Sequence, residues 1–195
     1  MLTLYGTSKA RPFRVLWMLE ELGLKFTHKA LEPRSDDAFR LSPLGKVPVL
    51  EVDGEAITDS AAILTYLADR EGRMTAAAGT VARAQQDAVT HMVLDDMDAL
   101  LWMAAKNTFI WPEGERVPEV KTGLRSEFSR NVDRLMVRKR GDYLMGDALT
   151  VPDILAVHCG LWAGRAGFDV GNADFAAYLE RASARPAFER AMAYS

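Results

Sequence analysis

The chain reads as an α/β domain followed by an all-helical one, and two observations carry that prediction. Over residues 1–73 short apolar strand patterns alternate with helical ones, whereas from residue 80 onward strand signals stop and helical runs fill the rest. Between them Met74 to Gly79 is a stretch of small residues that reads as a linker. The predicted division is therefore 1–73, a linker at 74–79, and 80–195.

Each element has its own reason. Leu2 to Tyr5 is a strand, and Gly6-Thr7-Ser8 is a turn. From Pro12 to Leu22, Phe13, Val15, Leu16, Leu19 and Leu22 recur near helical spacing, and Gly23 stops the helix. Lys25 to Leu31 reads as a second strand. A partly helical segment at Asp36–Leu41 leads to a strand at Val47–Val52. Asp53-Gly54 is a two-residue hairpin turn returning through Glu55-Ala56-Ile57, and a helix runs from about Asp59 to Arg70. The order βαβ-ββα, a parallel unit followed by an antiparallel hairpin and a helix, is that of the thioredoxin-like fold.

In the helical part, Val81 to about Phe109 and Val117 to Lys139 are two long runs. A third begins at Thr150 as N-cap, with Pro152 in the tolerated first turn and Asp153 placed to return a bond to the cap. Leu149 and Ile154 are spaced as a hydrophobic staple. Ala173–Ala184 and Pro186–Ala193 close the predicted helical bundle.

Composition bounds the function. Of 195 residues 49% are hydrophobic and 26% charged, with a net charge of −3, so no basic face for nucleic acid is expected. No apolar run approaches the roughly 18 residues of a membrane span. The single cysteine, Cys159, rules out an internal disulfide or a cysteine-based zinc site, and suits a reducing, cytoplasmic setting, as does an N-terminus without leader features. His91 with Asp95, and the run Asp95-Asp96-Met97-Asp98, lack the further ligands a metal site needs, so none is expected.

Two neighbouring segments carry the chemistry. In Lys46-Val47-Pro48-Val49-Leu50 a proline stands at the mouth of a buried strand, where its missing N–H leaves backbone free to pair with an extended peptide. Asp59-Ser60 follows at a helix start, where a hydroxyl and the helix dipole suit a carboxylate, and where both residues are also good caps. Together they indicate a site for a small peptide-like ligand.

With Leu4-Tyr5-Gly6 through Arg14-Val15-Leu16-Trp17 to Gly23, Ser42-Pro43-Leu44-Gly45, and Gly146–Ile154 with Ala184-Arg185-Pro186-Ala187-Phe188, these segments give the chain its resemblance to the cytosolic glutathione S-transferase superfamily, bacterial type, over nearly its whole length. The resemblance implies that Val47 and Pro48 form a cis-proline pair whose valine backbone receives the cysteinyl part of glutathione. It implies that Ser60 holds the γ-glutamyl carboxylate, Asp59 the ammonium group and Lys46 the glycyl carboxylate. Such enzymes place a hydroxyl or thiol after the first strand to favour the glutathione thiolate. Here Ser8, then Thr7, are the candidates; counting back from Arg14, the slot often held by Ser or Cys falls near Ala10. Arg11, and with it Lys9, would act instead by positive charge.

The resemblance further implies a hydrophobic electrophile bound against the long helix after the linker, near His91, Met92, Asp95, Trp102, Met103, Phe109 and Trp111, and a homodimer. Glutathione enters as cosubstrate, with no tightly bound cofactor. The expected reaction is conjugation of the glutathione thiolate. Glutathione-dependent peroxidase or reductase activity and a non-catalytic glutathione- or protein-binding module are the alternatives.

Overall fold

The computed structural model describes residues 1–168 and 170–194. They fall into two compact units, Met1–Thr80 together with the chain from Ala182 onward, and Val81–Arg181.

The first unit is built on β1 (Leu2–Tyr5), α1 (Pro12–Leu22), β2 (Thr27–Lys29), α2 (Asp36–Leu41), β3 (Val49–Val52), β4 (Glu55–Thr58) and α3 (Ser60–Glu71). Its sheet has the order β2-β1-β3-β4, with β1 parallel to β2 and antiparallel to β3, and β3 antiparallel to β4. That is the expected thioredoxin-like arrangement. Two strands are shorter than predicted. β3 starts at Val49 instead of Val47, because Pro48 brings no N–H to the ladder. β2 pairs only with β1, over three residues, so the predicted run of Lys25 to Leu31 is an edge strand with few bonds to extend it.

Helix α1 fills the positions predicted for it. Pro12 presets its first turn, and Gly23 ends it at φ 68°, donating its N–H to the Glu20 and Leu19 carbonyls. The periodicity predicts one buried face, but nine of its eleven residues are buried. Chain from Ala182 onward supplies the extra cover. In α9 (Pro186–Met192), so numbered because five further helices intervene, Phe188 stands edge-on to Phe13 and to Trp17, each 5.1 Å away. The two acidic residues of α1 are bound from the same segment: Arg185 grips Glu21 at 2.6 and 2.7 Å, and Arg190 meets Glu20 at 2.6 Å.

The second unit comprises α4 (Val81–Val93), α5 (Ala99–Ala105), α6 (Val120–Arg138), α7 (Val151–Arg165) and all but the last two residues of α8 (Ala173–Ser183). The long run predicted from Val81 is interrupted by π-turns at Leu94–Asp98 and Lys106–Ile110. Each has a side-chain cause. Asn131 of α6 donates to the Asp96 carbonyl at 2.9 Å, and Asn107 donates to the Met103 carbonyl while accepting from the Val117 N–H. Residues 151–160 of α7 are all buried, and at Gly160 a Cβ would stand 2.7 Å from Leu179, so α8 packs there against bare backbone. At the start of α7, Asp153 accepts from the Thr150 N–H and hydroxyl, the Leu144 N–H and the Tyr178 hydroxyl. Among the described residues no helix is long and apolar enough to cross a membrane.

Candidate glutathione site

Strand register gathers the predicted residues before any side chain is considered. Val49 is paired with Tyr5 on one side and Thr58 on the other, and Tyr5 is paired with Lys29. The chain leaving β1 (Gly6, Thr7, Ser8), the chain entering β3 (Lys46, Val47, Pro48) and the chain leaving β4 (Asp59, Ser60) therefore meet at one end of the sheet.

Close packing ties the first two. Gly6 has φ 130°, and a Cβ on it would lie 2.3 Å from Pro12 Cγ and 3.2 Å from Val47 Cβ. Only glycine fits there. The Val47–Pro48 peptide is cis, as the resemblance implies. Val47 is half-buried, Pro48 buried and Lys46 exposed.

The third segment is a helix start with unusual backbone. Asp59 caps α3 by accepting at Oδ1 from the Ala61 and Ala62 N–H groups, at 2.9 and 3.1 Å. It does so at φ 72° and ψ 124°, a conformation costing an L-residue on the order of 1–3 kcal/mol. Ser60 is buried, and its Oγ accepts from the Nη1 of buried Arg14 in α1 at 3.1 Å. A hydroxyl that accepts from a guanidinium keeps its own proton to give elsewhere. Ser60 is thus a polarised donor beside a capped helix N-terminus, a combination whose chemistry suits an anion.

Arg14 is the participant that residue-by-residue reading missed. The sequence offers it only within the Arg14-Val15-Leu16-Trp17 segment of the resemblance, and the 46-residue separation from Ser60 hides the bond. Thr7 and Ser8 lie half-exposed in the turn before α1, Arg11 is the half-buried N-cap of that helix, and Lys9 and Ala10 are exposed. The residues expected around the electrophile are only partly gathered in one cleft. His91, Met92 and Asp95 line a cleft of about 820 Å³ with Asp133, Arg134 and Val137, whereas Trp102, Met103, Phe109 and Trp111 are not part of its wall. Met103 and Phe109 are exposed apolar side chains. Cys159 is wholly buried in α7.

A thioredoxin-like unit joined in sequence to a helical unit defines the class. Comparison with known proteins carries it further. Residues 11–70 match the family model of the glutathione S-transferase N-terminal domain. Glutathione S-transferase GST-4.5 of Xanthomonas campestris pv. campestris is 30% identical over 146 residues, covering 71% of this chain and 70% of that protein. Glutathione S-transferase 3 of Schizosaccharomyces pombe is 38% identical over 76 residues, which is 37% of this chain but only 31% of that protein's length. Among solved structures, a glutathione transferase from Methylococcus capsulatus superposes with a TM-score of 0.85 at 27% identity, over 98% of this chain and 97% of that one. A glutathione transferase homolog from Sulfitobacter, solved with bound glutathione, gives 0.84 at 18% identity over 97% and 95%. The chain belongs to the glutathione S-transferase family.

Proposed function

We propose that the protein binds glutathione at this sheet end and conjugates its thiolate to a hydrophobic electrophile. The observation that carries the reading is the convergence of three segments at one end of the sheet, where together they can address every part of the tripeptide. The Ser60 hydroxyl, held as a donor by Arg14, and the α3 N-terminus take the γ-glutamyl carboxylate. The exposed Asp59 takes the neighbouring ammonium group, and its strained backbone is what places that charge outside the helix. The Val47 backbone, ahead of the first paired residue of β3, exchanges hydrogen bonds with the cysteinyl unit as one more strand would. Lys46 reaches the glycyl carboxylate.

The thiol then lies against the turn after β1. A donor from Thr7 or Ser8, or the charge of Arg11, favours thiolate over thiol, so that a nucleophile exists near neutral pH. The thiolate attacks the electrophilic carbon, a carbon–sulfur bond forms, and the leaving group departs with the bond's electron pair. The proton lost by the thiol goes to solvent. Two copies pair as a homodimer, working in the cytoplasm in detoxification.

Retention on immobilised glutathione, followed by conjugation to a generic aromatic halide, tests the proposal. Both are expected. Binding with peroxide reduction but no conjugation would assign the peroxidase alternative, and binding with neither would assign the non-catalytic module. Failure to bind would remove every glutathione reading.

A further inference from the structure

One side chain outside all of these assignments holds the thiol loop at its root. His28, the middle residue of β2, places Nε2 2.7 Å from the Gly6 carbonyl oxygen. A carbonyl oxygen only accepts, so Nε2 carries the proton of this bond. The Gly6 N–H in turn donates to the Lys29 carbonyl at 3.0 Å. Consecutive residues of β2 thus grip the peptide groups on both sides of Gly6.

The direction of that grip matters. The Gly6–Thr7 peptide is trans and planar, so its N–H points opposite to its C=O. The carbonyl is turned toward β2. In the order β2-β1-β3 the opposite side is that of β3, where Val47 and Pro48 stand. The Thr7 N–H therefore faces the side on which the cysteinyl unit is read to bind. A donor on the carbonyl also polarises the amide and strengthens its N–H as a donor. Glycine at φ 130° has no side chain to keep this peptide from turning over, so the restraint must come from outside. His28 is itself held: the Tyr194 ring stands edge-on to it at 5.3 Å and 83°, and the Tyr194 hydroxyl donates to Glu20 at 2.9 Å.

We propose that His28 is a positioning residue for thiol activation, fixing the Gly6–Thr7 peptide so that the Thr7 N–H is presented to the glutathione sulfur. The proposal rests on the glutathione reading and adds a backbone donor to the hydroxyl candidates.

The test compares His28→Leu, which removes the donor, with His28→Gln, which keeps an N–H at similar reach. The ultraviolet thiolate band of bound glutathione, followed against pH, reads the effect. In His28→Leu the bound thiol's pKa is expected to rise by about one unit, roughly a tenfold loss of thiolate at a fixed lower pH, while glutathione affinity changes less than about threefold. His28→Gln is expected to restore most of the wild-type value. A bound-thiol pKa in His28→Leu equal to wild type, or a Gln variant as impaired as Leu, overturns the proposal while leaving glutathione binding intact. Wild-type protein that does not bind glutathione overturns the underlying reading instead. In the ligand-free protein the Thr7 amide ¹⁵N resonance should move in the Leu variant and return in the Gln variant. An unmoved resonance refutes the peptide grip without any ligand.

Discussion

At the start of α7 and at the start of α3 the chain sets an acid near a hydroxyl, and the two helix N-termini are finished in opposite ways. Asp153 is fully buried and its carboxylate accepts four donors, from the Thr150 N–H and hydroxyl, the Leu144 N–H and the Tyr178 hydroxyl. Every one of those partners belongs to the same unit, and the N-cap backbone is ordinary and extended. Asp59 is exposed, sits at φ 72°, and commits one oxygen to its helix. Beside it the Ser60 hydroxyl accepts from Arg14 and retains a donor. A polar group whose bonds are closed within the fold specifies architecture, because nothing else can enter the network. One left with spare bonding capacity, on strained backbone, has what the proposed ligand would need.

The largest effect should come from opening the closed terminus. Asp153→Ala leaves the Leu144 and Thr150 N–H groups and the Tyr178 hydroxyl in the core without their acceptor, and a loss of about 3–5 kcal/mol is expected. Urea titration followed by circular dichroism measures it. Glutathione binding by whatever remains folded should be unchanged, because Asp153 lies in the second unit. A loss below about 1 kcal/mol would mean that the four bonds do not hold α7 in place.

At the open terminus the order of effects should reverse, with binding hit harder than stability. Ser60→Ala removes a hydrogen bond to a charged ligand group, so glutathione affinity should fall by roughly 10–100-fold. Asp59→Asn keeps a capping oxygen, so stability should stay within about 0.5 kcal/mol while affinity drops by about tenfold through the lost charge. Calorimetric titration with glutathione, run beside thermal melts, separates the two. Equal losses of stability and binding in Asp59→Asn would make Asp59 a cap and nothing more.

How much of this was legible depended on how far each interaction reaches. Helix α1 could be read to the residue because Pro12 and Gly23 punctuate it locally, and the α7 start because Thr150 and Asp153 are three residues apart. The burial of nine of the eleven residues of α1 could not, since Phe188 and Arg185 arrive from more than 160 residues away. The π-turn at Leu94–Asp98 escaped for the same reason: Asn131 reaches across 35 residues to the Asp96 carbonyl. At the site, Val47, Pro48, Asp59 and Ser60 were legible as residue types at a spacing, and register then brought their segments together. The thiol loop was hardest to read. Its Gly6 carbonyl is held by His28 on the neighbouring strand, 22 residues away in sequence, and no local pattern announces that bond.

The smallest effect concerns protons, and it sharpens what closure means. Burial raises the Asp153 carboxyl above its ordinary value, against the downward pull of the Leu144 and Thr150 donors and Tyr178. The folded chain therefore holds this proton more tightly than the unfolded chain does. From about pH 4, where an unfolded aspartate ionises, up through the raised folded value, the folded state binds more protons and stability falls as pH rises. Asp153→Asn has no proton to lose there, so its urea midpoints should decline less steeply than wild type over that window, by less than about 1 kcal/mol in all. Its neutral-pH stability should still lie well above that of Asp153→Ala, because the amide oxygen keeps an acceptor for the Leu144 N–H and Tyr178. Parallel wild-type and Asn profiles would show that ionising Asp153 costs the fold nothing, and that the four donors outweigh the burial around them.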